Sequence, residues 1–259
     1  MELKNKKGII LCMSCNQERY VNDEDIIRET WGKNIIDGEY DNLEIYFYRG
    51  GSKKEYFDEE KHIIYLTSDD DLYSTYNKSI DAFRWIKKNV PDYDYIIRTN
   101  TSTYINIDAI LHFLNNPLND VKVCGPGIAI NRYSLSIPFL PGYFLIFSKE
   151  IIDLFCSLSP KITYIDDVGF ALFLHKVFKR DYVETIIKQV DGLRNLENIT
   201  DENIIKSYFI RCELPFIAKK NTEIMRDIQK IYNNLEIKSD VSLPHNFTFI
   251  NTIVGNIPI

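Results

Sequence analysis

YDYIIRTNTSTYINIDAIL, residues 93–111, passes from an apolar run through a short polar knot into a new helical pattern. Tyr93, Tyr95, Ile96 and Ile97 carry the aromatic and β-branched enrichment of a buried strand. Asn100 to Ser102 then break the run. In an open α/β sheet, ligands bind at the carboxyl ends of central strands, which makes a polar cluster at such an end a candidate site. A turn that caps the following helix accounts for the same residues by local chemistry alone.

On either side of this stretch, strand-like and helix-like segments alternate. Gly8 to Cys12, GIILC, fits a buried first strand whose following loop shares the sheet edge of Asn100. Asp23 to Gly32 reads as a helix with acids in its first turn and Ile26, Ile27 and Trp31 on its buried side. Leu43 to Tyr48 and Ile63 to Leu66 are further strands, separated by a charged helical or loop stretch from Gly50-Gly51 to Lys61. Asp69-Asp70-Asp71 follows the second of them and precedes a helix over Ser74 to Lys88, with Ile80, Phe83, Trp85 and Ile86 inward. Capping of that helix is the favoured reading of the three acids, and metal binding is the other.

Val121 to Cys124 is a strand ending at Gly125-Pro126-Gly127, whose spacing is neither a dinucleotide-binding nor a P-loop fingerprint. FLPGYFLIF, residues 139–147, runs into a helix from Ser148. In ITYIDDVGFALFL, residues 162–174, two adjacent acids precede a hydrophobic helix. They cap Val168 to Val177, or they face a cavity or a partner, since buried carboxylates are costly otherwise. Ile204 to Cys212 and Thr222 to Leu235 show helical spacing, and Val241 to Ile259 reads as an extended tail. This pattern predicts an α/β sandwich with a mostly parallel central sheet and a helical C-terminal extension.

Length and composition narrow the classes. At 259 residues, 45% hydrophobic and 26% charged, the chain can bury a substantial core and is neither disordered nor fibrous. A net charge of −6 with scattered Lys and Arg disfavours nucleic acid, while a nucleotide-sized anion needs only a few cations. No stretch approaches the ~20 apolar residues of a membrane span, and the run after Lys7 is too short for a signal-peptide core. The five cysteines are odd in number and mostly set in apolar runs, as expected of reduced thiols in a cytoplasmic setting. Cys12 and Cys15 form a lone C-x-x-C with no second pair, for which a zinc or redox role is the alternative.

Three stretches together resemble the GT-A glycosyltransferases of the β-1,3-galactosyltransferase and Fringe type. Arg98 to Asn106 occupies the frame K-T-D-D-D-x-F-x-N, with Asn100, Thr101 and Ser102 where the family has three aspartates. Arg28-Glu29-Thr30-Trp31-Gly32 matches I-R-x-T-W-G, and Asp166-Asp167-Val168 matches E-D-V-x-x-G. Asp70, Lys78 and Trp85 keep the spacing of a further segment, which marks Asp70 as a helix-start residue. Gly142 and Ser148 keep the frame of G-x-G-Y-x-x-S, while Phe144 replaces its second glycine. The resemblance covers about Ile9 to Leu174.

It implies a GT-A domain over residues 1–200, with residues 201–259 packed on the same domain. It also implies an inverting transfer of a hexose or N-acetylhexosamine from a UDP-sugar to a glycan hydroxyl, with a β-1,3 linkage. Asp167 is the expected general base, with Asp166 as the alternative. Gly142, Tyr143 and Phe144 are the expected acceptor contacts, and Arg28, Lys78, Arg98, Asn100 and Ser102 the donor contacts. Neutral Asn and Ser oxygens are weak ligands for a hard cation. Either Arg98, Lys78 and Arg28 neutralise the diphosphate without a metal, which is the favoured route, or Asp69, Asp70 and Asp71 hold Mn2+ or Mg2+. A lipid-linked surface-polysaccharide precursor on the cytoplasmic side, reached through peripheral membrane contact, is the expected acceptor. The rivals are a catalytically inactive sugar-nucleotide or glycan binder on the same scaffold, and a structural subunit of a glycan-assembly complex.

Overall fold

A computed structural model of the chain describes residues 5–116, 120–126, 139–158, 164–179, 186–190, 192–193, 204, 207–212, 221–234 and 248–249. In chain order the elements are β1 (Gly8–Met13), α1 (Glu18–Glu29), α2 (Lys33–Ile36), β2 (Leu43–Arg49), β3 (Tyr56–Asp58), β4 (Ile63–Tyr65), α3 (Thr75–Asn89), β5 (Tyr95–Asn100), β6 (Thr103–Ile105), α4 (Ile107–Asn115) and β7 (Val123–Gly125). There follow β8 (Phe144–Ser148), α5 (Lys149–Leu158), α6 (Asp166–Phe178), β9 (Ile187–Gln189), β10 (Gly192–Leu193), β11 (Phe209–Arg211), α7 (Asn221–Asn234) and β12 (Thr248–Phe249).

Nine strands form one sheet in the order β12-β9-β7-β8-β5-β1-β2-β4-β3. β1 lies beside the central strand β5, parallel to both β5 and β2. Five of its six residues are buried, which is why it reads as an unbroken apolar run: helices cover both faces. Alternate side chains serve two cores. Ile10 and Cys12 join Ile27 and Trp31 of the α1 region, Ile110 of α4 and Ile224 of α7, whereas Ile9 and Leu11 join Phe83 of α3, Phe155 of α5 and Phe170 of α6. In the second core, Phe155 lies 5.1 Å from Phe170 and 4.7 Å from Phe173 between ring centroids. Each such pair adds about 0.5–1.5 kcal/mol beyond area burial.

The register brings Met13, Tyr48 and Asn100 level, so β1, β2 and β5 end at one edge. β8 inserts antiparallel beside β5, pairing Thr99 with Phe144. A second sheet, β10-β11-β6, crosses just beyond that edge. Two local expectations change here. Phe209–Arg211 is a strand, held antiparallel to β6, where helical spacing was expected. Tyr56–Asp58 pairs antiparallel with β4 inside the stretch expected to be helix or loop. Pairing across the sheet overrides local pattern in both. The helix expected over Thr222 to Leu235 is present as α7, whose last residue is Asn234; Leu235 and all of the expected tail except Thr248–Phe249 lie outside the described residues.

α6 crosses α3 closely at Gly169. A Cβ there would stand 2.3 Å from Tyr76 Cδ2. Gly169→Ala is therefore expected to destabilise the protein by about 1–3 kcal/mol through overpacking, although alanine alone favours the helix by up to about 1 kcal/mol. The urea midpoint checks this.

Candidate active site

Arg98 of β5 forms the floor. It is 1% exposed and ion-paired with Asp166 at the start of α6. Its Nε donates to Tyr48 Oη at 3.3 Å, and Tyr48 Oη lies 2.9 Å from Ser79 Oγ. Burial draws the guanidinium pKa down, and Asp166, Tyr48 and Asp167 together more than reverse this, so the pKa stands above its ordinary value. The backbone N–H of Asp166 donates to Thr75 Oγ1 at 3.0 Å, which ties α6 to α3. Gly142 lies against the pair: a Cβ there would be 3.0 Å from Arg98 Nη1 and 3.2 Å from both Asp166 carboxylate oxygens. Only glycine lets the backbone approach this closely without displacing the pair.

Two residues on, the strand end turns polar. Asn100 Oδ1 accepts from Ser102 N at 3.2 Å, Ser102 Oγ at 3.0 Å and Thr103 Oγ1 at 3.0 Å. The turn is thus held by its own side chains, but it does not cap the following helix as the local reading had it: β6 intervenes, and Asn106 caps α4 by accepting from Ala109 N at 3.2 Å. A fourth donor also reaches Asn100, for Arg211 Nη1 lies 2.9 Å from Oδ1 and 2.5 Å from Ser102 Oγ. Its guanidinium carbon is 5.1 Å from the Tyr143 ring centroid, within cation–π range. β11 pairs Arg211 with Thr103, and Cys212 N donates to Ser102 O at 2.9 Å. Arg211 was absent from the sequence candidates. The signal was present as Tyr208-Phe209-Ile210, an apolar strand-like run ended by a cation, but the segment was read as helix.

Lys78 and Arg28 each hold a carboxylate. Lys78, 2% exposed, pairs with Asp70 at 2.6 Å and donates to Ser14 O at 2.9 Å. Asp70 also accepts from Gly50 N at 3.1 Å and Asn16 N at 3.2 Å, so this pair clamps the loops after β1 and β2 to α3. Arg28 lies 4.2 Å over the Phe47 ring and 3.5 Å from Glu24, which in turn takes two hydrogen bonds from Arg49. Capping falls to Asp71, not to Asp70 as the helix-start reading had it: Asp71 Oδ1 accepts from Tyr73 N at 2.8 Å and Ser74 N at 2.9 Å.

Among the described residues, no three His, Cys, Asp or Glu side chains converge as a metal site, Asp69, Asp70 and Asp71 included. At the position where the resembled family binds its metal, the donors are one amide and one hydroxyl oxygen, already hydrogen-bonded to a guanidinium. A divalent cation does not suit that donor set, because neutral amide and hydroxyl oxygens are weak ligands for a hard cation and Arg211's guanidinium already lies on them. The C-x-x-C does not supply a site either. Burial raises the Cys12 thiol well above its ordinary value and raises Cys15 as well, which keeps both protonated and poor as ligands.

Asp167 is 5% exposed, and its Oδ1 accepts from Val168 N at 2.8 Å. It lines a narrow, partly open cavity with Leu140, Leu145, Phe147, Phe170 and Leu174. Tyr143 turns its carbonyl to Thr99 Oγ1 at 2.9 Å. Phe144 is closed to solvent, stacked on Phe209 with centroids 5.0 Å apart. The fold thus gathers Arg98, Asn100, Ser102, Gly142, Tyr143 and Asp166 around the end of β5.

Among curated proteins, none matches the chain by sequence. A family model described as Galactosyltransferase matches residues 22–135. The class of enzyme so defined is a glycosyltransferase. The particular pattern, that of the galactosyltransferases, spans the Arg28 to Gly32 and Arg98 to Asn106 motifs and stops short of Asp166-Asp167, bearing out the resemblance over the first two. Solved structures similar to the chain include a glycosyltransferase involved in glycosylation of the major capsid of PBCV-1, with 9% identity, TM-score 0.46, and coverage of 86% of this chain and 99% of that one. Another is the catalytic domain of Drosophila β1,4-galactosyltransferase 7 with xylobiose, with 10% identity, TM-score 0.42, and coverage of 85% and 79%. A mutant of the same Drosophila enzyme, in complex with manganese, UDP-Gal and xylobiose, has 10% identity and TM-score 0.43 over the same shares.

Proposed function

We propose that the protein moves a hexose or N-acetylhexosamine from a UDP-sugar to a glycan hydroxyl, in a β-1,3 linkage with inversion and without a metal. The observation that carries this reading is the meeting of two motifs far apart in sequence: Arg98, ahead of the Asn100 to Ser102 turn, pairs with Asp166 of the Asp166-Asp167-Val168 helix start. A donor sugar lying over that junction has its diphosphate toward Asn100 and Ser102 and its anomeric carbon toward the start of α6.

Asp167 acts as general base. It takes the proton of the acceptor hydroxyl as that oxygen attacks the anomeric carbon, and the bond from that carbon to the diphosphate oxygen breaks to release UDP. Asp166 is the weaker choice of base, since its carboxylate is engaged by a buried guanidinium. Arg98 and Lys78 act as positioning residues beneath the donor. Asn100 and Ser102 hydrogen-bond ribose or phosphate, and Tyr143 offers its face to the acceptor sugar. The acceptor is a lipid-linked surface-polysaccharide precursor on the cytoplasmic side, approached by peripheral contact. Among the described residues no helix is long and apolar enough to cross a membrane.

The experiment is turnover of a panel of UDP-sugars with glycan acceptors, read as acceptor-dependent UDP release in EDTA. Transfer in EDTA supports the reading. UDP binding without transfer or hydrolysis for any donor would replace it with the sugar-nucleotide binder.

A further inference from the structure

We propose that Thr75, at the start of α3, is a positioning residue for the acid pair: its hydroxyl caps α6 from outside that helix and so sets where Asp166 and Asp167 stand. The inference rests on the reading of Asp167 as general base. It names what holds that base in register with the floor of the site.

A helix start normally satisfies its first N–H groups with a Ser, Thr, Asp or Asn side chain at its own N-cap. α6 begins after Ile165, which supplies no such cap. The N–H of Asp166 donates instead to Thr75 Oγ1 at 3.0 Å, on a residue 91 positions earlier. Thr75 Oγ1 gives its own proton to Leu72 O at 2.9 Å, which leaves a lone pair for Asp166. Thr75 and Asp166 are each 7% exposed, so water is a poor substitute for this hydroxyl.

The side chain of Asp166 leads back to the same residue. It pairs with Arg98, Arg98 Nε donates to Tyr48 Oη at 3.3 Å, and Tyr48 Oη lies 2.9 Å from Ser79 Oγ. Ser79 Oγ donates to Thr75 O at 2.9 Å. Its single proton is thereby spent, so Tyr48 is the donor to Ser79, and the chain runs one way from Arg98 to the Thr75 carbonyl. Backbone and side chain of Asp166 thus close a ring through the first turn of α3, with Tyr48 and Ser79 fully buried inside it. Asp167 is the next residue of the same helical turn, its Cα about 3.8 Å from that of Asp166, and is carried with it. Lys78, beside Ser79, pairs with Asp70 and donates to Ser14 O, while Asp70 accepts from Gly50 N. The turn that seats the acids therefore also clamps the loops after β1 and β2.

The test compares Thr75→Val, which keeps the shape of the side chain and removes the hydroxyl, with Thr75→Ser, which keeps the hydroxyl. Hydrogen exchange at the Asp166 amide is measured in the full chain, together with kcat and donor KM in UDP-sugar turnover. Thr75→Val should speed exchange at Asp166 by about tenfold or more, since it strands a buried donor. It should lower kcat by up to about a hundredfold, the cost of a misplacement on the order of 1 Å, with donor KM near the wild-type value. Thr75→Ser should restore both. Ile35→Val in α2, within the first core, supplies a loss of stability away from the site and should leave kcat as it is. Tyr48→Phe opens the ring on its far side and should lower kcat in the same sense; it decides the matter if Thr75→Val does not fold.

Unchanged exchange at Asp166 in Thr75→Val overturns the proposal. So does faster exchange beside a wild-type kcat, or a fall in kcat that Ile35→Val matches. Where Thr75→Val does not fold, a wild-type kcat in Tyr48→Phe overturns it. Protection of the Asp166 amide that depends on Thr75, in a wild type that turns over no UDP-sugar, keeps Thr75 as the cap of α6 and sinks the nucleotide-sugar reading.

Discussion

Arg98→Met is expected to destabilise the protein by about 3–5 kcal/mol, a cost set less by the pair's own attraction than by the Asp166 charge it strands. Arg98 is 1% exposed, and the Asp166 side chain is 10% exposed and packed beneath Gly142. Water cannot replace the guanidinium without prising Gly142 from the floor. In a domain of this size each kcal/mol moves the melting temperature by roughly 2–4 °C, so the fall is on the order of 10 °C. Thermal and urea unfolding would measure it. The double variant Arg98→Met with Asp166→Asn should recover much of the loss, because it removes both charges. A single variant within about 1 kcal/mol of wild type would mean that the pair is hydrated, and the floor as described would be wrong.

Asp167→Asn should lower kcat by about 10²–10⁴, the usual contribution of a general base, with a smaller fall in melting temperature than Asp166→Asn. The stability loss is limited because the amide oxygen can still accept the 2.8 Å hydrogen bond from Val168 N, and because Asp166, not Asp167, makes the ion pair with Arg98. Asp166→Asn should divide its effects the other way. It leaves Arg98 buried opposite a neutral group, so stability falls, and kcat falls only as far as the floor shifts. Measuring kcat and unfolding midpoints for both variants separates the roles. Abolished turnover in Asp166→Asn beside active Asp167→Asn would exchange them.

The parts of this architecture legible in the sequence are those with a local cause. β1, β2 and β4 announce themselves by apolar runs and α3 by its buried face, since being covered on one or both sides leaves a period in the chain. Trp31 was expected in the core and is 4% exposed there. The Asn100 to Ser102 turn was visible because the polar break is itself local. The strand at Phe209–Arg211 was not, because nothing in those residues tells that β6 waits as a partner; its pairing, not its propensity, makes it a strand. Asp70 and Asp71 show the same limit on a smaller scale. Their order suggests a cap, but which of them caps and which meets Lys78 depends on how α3 docks.

By itself, then, the sequence determined an alternating α/β chain with a polar strand end, a transferase pattern and a carboxylate pair before a hydrophobic helix. Only the tertiary structure decided the partners of the charges. It set Asp166 against Arg98, Asp70 against Lys78 and Arg211 against Asn100, a contact spanning 111 residues. The reason is physical: period and propensity are properties of neighbouring residues, whereas the electrostatic state of a buried group depends on what the folded sheet sets opposite it.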